Sequence, residues 1–280
     1  MDAEDTEGLA RGRAWDLFAD VFEHGPDRRR EHLLTITALA DCVPDPDDEA
    51  EAWSHRLFSQ EVQPFASAFL EPSRCLGGAV SQGLWDAVPE GLEPSLEPDH
   101  LAIQLRVMAR LHDQPERAAA FASTQLLPWL PPLVVAVNEL DAGFYGRTLA
   151  LVQELAASQA GSEIPDRLAP LEHPLENPRT GLRDIADWLV TPARSGVWLS
   201  HTVLARIGRH LSLPRGFGSR SRVLENLLQA AAHRECIPAL VAALSEHLKG
   251  VQERVGMLAG GAVWSERIGH THTEIQGLKP

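Results

Sequence analysis

Apolar side chains recur at helical spacing along most of the chain. Leu9, Trp15, Phe18, Ala19 and Phe22 form a first stripe, and Leu33, Leu34 and Ile36 to Leu39 form a second. Pro26 and Asp27 punctuate the two runs, a pattern that predicts an antiparallel helix hairpin. Residues 44–49 read as an acidic helix start, with carboxylates where the helix dipole favours them. That start leads to Trp53 and then Leu57-Phe58, after which the period fails. Residues 60–71 are expected to run as an ordered loop around Pro64. Gly77-Gly78 marks a turn before a short helix near Trp85. Three prolines and one glycine within residues 89–98 then exclude regular structure.

A rigid corner follows, Glu97-Pro98-Asp99-His100, opening into the apolar run 101–111. Proline has a fixed φ suited to a first helical turn and restricts the residue before it, so the corner reads as a helix start carrying ionisable groups. Leu101, Leu105 and Met108 lie on one face of the run, and Ile103, Val107 and Leu111 on another. Apolar residues on two faces predict a central, buried helix. Pro115 opens the next helix, which passes Phe121 and meets the break at 128–132. Leu133 to Leu140 and then Phe144 to Leu155 give a further long helix or helix pair.

Residues 158–180 differ in kind: Gly161, four prolines and scattered charges describe a linker. The expected organisation is a helical domain over 1–160, a linker or crossing segment over 161–180, a C-terminal helical block over 181–249 and a flexible tail over 250–280. Within the block, helices are predicted near 182–189, 200–211, 221–233 and 238–248. The glycine-rich tail is expected to be poorly ordered, packing only through Trp264. Strand signals are weak throughout, with neither period-two runs nor Asn-Gly hairpins, so the predicted class is all-α.

Composition narrows the function more than the fold. No window approaches the roughly 18 uninterrupted apolar residues of a membrane span, and the N-terminus is acidic where a secretory leader is basic. Both point to the cytoplasm. Cys42, Cys75 and Cys236 are far apart and odd in number, which indicates neither a disulfide framework nor a thiolate metal site. The net charge of −14 is unevenly placed: residues 1–180 carry 13 Arg and no Lys against 31 acids, whereas residues 181–249 are net positive by 4. An acidic first part repels nucleic acid and favours basic partners, although solubility alone would also account for it.

Enzyme motifs are missing. No phosphate-gripping loop is present, and the two lysines, Lys249 and Lys279, both come late. Gly-x-Ser-x-Gly and His-Glu-x-x-His are absent as well. His270-Thr-His272, with His201, His210 and His233 upstream, lacks the spacing of a metal site. Neither a cofactor nor a metal is expected. Residues 204–222 read as a helix, a glycine-rich turn and a basic helix start, superficially a helix-turn-helix whose Arg215, Arg220 and Arg222 would meet phosphate. A helical DNA-binding regulator is therefore the alternative reading.

Five short motifs in order carry a resemblance. Arg56-Leu57-Phe58, Pro64-Phe65-Ala66-Ser67, Glu97-Pro98-Asp99-His100, Leu127-Pro128-Trp129 and Phe144-Tyr145 together resemble the TorD/DmsD family over roughly residues 10–160. Ala66 stands where the family usually has a glutamate, and the C-terminal block is similar to extended versions of the family. The resemblance implies a TorD-like helical bundle and a cytoplasmic, non-enzymatic chaperone. Such a protein holds the twin-arginine signal peptide and apoenzyme of a molybdenum-containing oxidoreductase until cofactor insertion is complete, as a monomer or a domain-swapped dimer. Two guanidiniums followed by an apolar stretch require carboxylates beside an apolar groove. Glu97 and Asp99, oriented by His100 and Pro98, would supply the charge; Leu57, Phe58, Pro64, Phe65 and Trp129, with Ser67, would form the groove.

Overall fold

Fifteen α-helices and no strand make up the described residues, in keeping with the weak β signal. The computed structural model describes residues 3–72, 78–85, 96–161, 181–214 and 216–277. The expected linker beyond Gly161, most of the proline-rich 89–98 segment, Gly77, Cys75, Arg215 and Lys279 lie outside them. The chain divides into two compact units, Met1–Pro165 and Asp166–Pro280.

In the first unit, α1 (Ala3–His24) packs along α6 (Leu101–Arg110). Eight of the ten α6 residues are buried, as the two-faced apolar pattern required. Helix α1 stops at Gly25, whose φ of +82° is a left-handed cap that a side chain would strain, with Pro26 behind it. The predicted hairpin partner is much reduced. Only α2 (Arg30–Leu33) forms, preceded by a 3₁₀ turn at Asp27–Arg29, and residues 34–42 continue as turns. Thr35-Ile36-Thr37 explains the stop, since β-branched side chains lose rotamer freedom in a helix.

Helix α3 (Asp48–Arg56) starts on Asp47, whose carboxylate accepts from the amide of Ala50 at 2.7 Å. It runs into a π-helical turn at Leu57–Glu61, where the sequence period fails. The segment read as a loop is thus partly helical: after an extended stretch through Pro64, α4 (Ala66–Leu70) follows. Helices α5 (Ala79–Trp85), α7 (Pro115–Phe121), α8 (Leu130–Asn138) and α9 (Phe144–Ala160) complete the unit. No single described helix is long and apolar enough to cross a membrane.

The second unit holds α10 (Leu182–Leu189), α11 (Pro192–Ser195), α12 (His201–His210), α13 (Arg220–His233), α14 (Ile237–Gly256) and α15 (Ala262–Gln276). Ser200 and Ser219 cap α12 and α13 through their hydroxyls. The tail is where the sequence reading needs correction: residues 262–276 are helical, not poorly ordered. Trp264, Ile268, Thr271 and Ile275 recur every three or four residues and are all buried. The scattered glycines had masked that stripe.

Candidate functional site

The 97–100 corner is stapled to the 64–67 segment by a short antiparallel bridge. The Ala66 amide donates to the Asp99 carbonyl at 2.9 Å and the Leu101 amide to that of Pro64 at 2.9 Å. The Asp99 side chain continues the staple. Its Oδ2 accepts from the Ser67 amide at 3.1 Å and from the Ser67 hydroxyl. Gln104 donates to the Asp99 carbonyl at 3.3 Å, and its own oxygen accepts from the Trp129 indole at 3.2 Å. Asp99, Ser67 and Trp129 are completely buried.

His100 caps α6 as Nδ1 accepts from the Ala102 amide at 3.1 Å. A ring that accepts at Nδ1 and is neutral carries its proton on Nε2. Burial pushes its pKa down to about 4, against the opposing pull of the Asp99 and Glu23 charges, so the ring is neutral near pH 7. Phe65 meets it edge-on at 4.8 Å.

Beside this corner opens a cleft of about 490 Å³. Phe58, Pro64, Phe65 and His100 form one side; Phe22 at the end of α1, Asp27 in the 3₁₀ turn after it, and Glu51 and Ser54 of α3 lie on the other. An aromatic cluster floors it. Phe58 lies 5.7 Å from Phe22 and 4.9 Å from Tyr145, edge to face in both pairs. The Tyr145 hydroxyl donates to Ser54 at 2.7 Å; burial, partly offset by that bond, pushes its pKa up to about 12.

Charge in the cleft and in the wall behind it is of two kinds. Asp20 and Glu23 on α1 are spent on cations: Arg106 donates to Asp20 at 2.8 Å and to Glu23 at 3.0 Å, and Arg29 also pairs with Asp20. Burial alone would raise the Asp20 carboxyl, but the bonds and charges of Arg29 and Arg106 hold it below its ordinary value. Asp20, Glu23 and His24 lie close enough together to hold a metal ion, but the guanidiniums already supply the compensating charge. Asp27 and Glu51 are different. Both are exposed, and neither has an ion-pair partner among the described residues.

The residues proposed from sequence therefore separate. Phe58, Pro64, Phe65 and His100 line the cleft. Leu57, Ser67, Pro98, Asp99 and Trp129 are buried in the framework behind it and cannot present themselves to a peptide. Glu97 is exposed but lies outside the cleft lining, with Ser81 donating to it at 3.5 Å. Phe22 near the end of α1, Asp27 in the 3₁₀ turn after it, and Glu51 and Ser54 on α3 were missed. Pro26-Asp27 and the acidic start of α3 were the available signals.

Elsewhere, the two arginines at the start of α13 are engaged within the unit, whereas Arg206 and Arg209 on α12 are exposed. The Arg220 guanidinium stacks 3.6 Å from the Trp198 ring centroid and donates to the Leu199 carbonyl, and Arg222 pairs with Glu225 at 2.8 Å. His270 and His272 sit two apart on α15, a spacing that points side chains to different faces. The Cys42 thiol is pushed up by burial, partly offset by Arg147, which disfavours the reactive thiolate. Comparisons with protein-family models, curated proteins and solved structures returned no significant match.

Proposed function

We propose that the cleft binds a peptide combining guanidinium groups with an apolar stretch. On this reading the protein is a cytoplasmic maturation chaperone that holds the twin-arginine signal peptide of a molybdenum-containing oxidoreductase apoenzyme. One observation carries the proposal: the exposed, uncompensated carboxylates of Asp27 and Glu51 share a cleft with Phe58, Pro64 and Phe65. Arginine binds a carboxylate through two parallel, charge-assisted hydrogen bonds, and the adjacent rings offer an apolar seat. The ordered motif resemblance adds support, because three of its five motifs contribute to the cleft wall or to the staple behind it. Asp99 then acts through position: it fixes the Pro64-Phe65 segment and leaves peptide contact to others.

The test is a calorimetric titration with a synthetic peptide carrying two consecutive arginines and an apolar stretch. One-to-one binding that weakens with added salt is expected. Asp27→Asn with Glu51→Gln should reduce affinity by about tenfold or more. Phe58→Ala should reduce it as well, and a di-lysine peptide should bind less tightly because an ammonium lacks the planar fork. Absence of binding, or affinity indifferent to both sets of changes, would overturn the reading.

A further inference from the structure

In the second unit, α15 is clamped onto α11 through two backbone carbonyls. Arg267 Nη1 donates to the Ala193 carbonyl, and the Thr271 hydroxyl donates to that of Ser195 at 2.8 Å. Gly196 makes the approach possible. Its φ is +81°, and a Cβ there would lie 2.9 Å from Ile268 Cγ1. The clamp leaves a pocket of about 270 Å³ between α10, α11 and α15.

Trp188, Ala193 and Val263 give this pocket apolar walls, and Arg267 also lines it. A guanidinium has five N–H donors, of which one nitrogen here serves the Ala193 carbonyl. No carboxylate lies within ion-pair distance of Arg267 among the described residues, although the residue is half-buried. Burial with no compensating charge lowers its pKa to about 10, which leaves it a cation at neutral pH. A desolvated cation is costly unless something neutralises it.

We propose that this pocket binds a small monocarboxylate with a compact apolar body. The carboxylate would take the free edge of the Arg267 fork, with Arg194 at the mouth adding positive charge, and the apolar body would rest against Trp188 and Val263. Its volume is just below the roughly 300–1,000 Å³ of drug-sized sites, which sets the ligand class as small. Glu266 and Glu274 also line the pocket and repel dianions and polyphosphates, so a single planar carboxylate fits better than phosphate. The site stands apart from the peptide reading, in the other unit and on other residues.

Phenylacetate titrated into the full chain by calorimetry tests this, with neutral, isosteric phenylacetamide as the control. Saturable one-to-one binding is expected for the acid, and binding about tenfold or more weaker for the amide. Arg267→Gln should cost a similar factor. Because that variant also disturbs the clamp, Val263→Trp is the second probe: it fills the pocket without removing the guanidinium and should abolish binding. A tripeptide ending in a free phenylalanine carboxylate reports the source of the group. Tighter binding than phenylacetate identifies a chain end, weaker binding a free acid, and both uphold the carboxylate. No saturable binding, equal affinity for acid and amide, unchanged affinity in folded Arg267→Gln, or effective competition by inorganic phosphate would overturn the proposal.

Discussion

Asp99 illustrates how a residue's chemistry and its role can part. A carboxylate at a helix start next to a histidine suggests recognition, and nothing local says otherwise. Its partner, Ser67, is 32 positions away, and only tertiary structure brings the two together. One oxygen takes both Ser67 donors; Oδ1 is buried with no hydrogen-bond partner among the described residues. Removing a partner from a buried polar group costs about 1–3 kcal/mol, so Ser67→Ala and Asp99→Ala should each lower unfolding stability by about that much. The double variant should lose less than the sum, because the second change removes a bond already broken. Urea denaturation followed by circular dichroism reads both, and strictly additive losses would count against the staple. Arg106 is the heavier case. Arg106→Gln would remove the guanidinium that Asp20 and Glu23 share, and a loss of roughly 3 kcal/mol is expected from the poorly compensated charge.

Elements were legible where periodicity was long and uninterrupted. Helix α6, and α12 and α13 near the expected 200–211 and 221–233, follow directly from apolar spacing. Short or irregular elements were not legible. The π-helical turn at Leu57–Glu61 adds a residue to the local turn and so breaks the period that would announce it. Helix α15 was hidden for another reason: Gly269 within it and the glycines flanking it lower intrinsic propensity, and burial of Trp264 and Ile268 overrides that cost. Packing rather than propensity should therefore govern this helix. Trp264→Ala is expected to destabilise the second unit by about 3–5 kcal/mol. Gly196→Ala should cost about 1–3 kcal/mol through its left-handed backbone and the collision with Ile268. Gly269→Ala, at a half-buried position where a Cβ would meet only the tip of the Gln252 side chain, should change little by comparison. Thermal melts of the three variants check the order, and a Gly196→Ala protein as stable as the parent would remove the clamp from the argument.

At the scale of the whole molecule, each compact unit contains, among the described residues, a histidine whose ring is kept neutral by its withdrawal from water, and this predicts how the protein responds to acid. His100 in the first unit and His247 in the second are both pushed down to about 4. Burial is the main cause in each case; the charges of Asp99 and Glu23 oppose it at His100, and those of Arg206 and Arg254 add to it at His247. An unfolded histidine titrates near 6.5, so the unfolded chain takes up its proton first. Stability from each neutral ring is complete above about pH 6.5 and is lost as pH falls toward 4, by roughly 3 kcal/mol per site at most. Asp20, held below its ordinary value, contributes only further down, because its stability is lost as pH drops through that lowered value. The mid-acid window therefore belongs to the histidines. His100→Asn keeps an acceptor for the Ala102 amide and removes the titration. Hydrogen exchange at pH 7.5, 6 and 5 should then find the first unit's protection nearly independent of pH, while the second unit still loosens at pH 5. His247→Gln should produce the mirror result. If His100→Asn leaves the pH dependence of the first unit unchanged, its acid sensitivity arises from groups other than this ring.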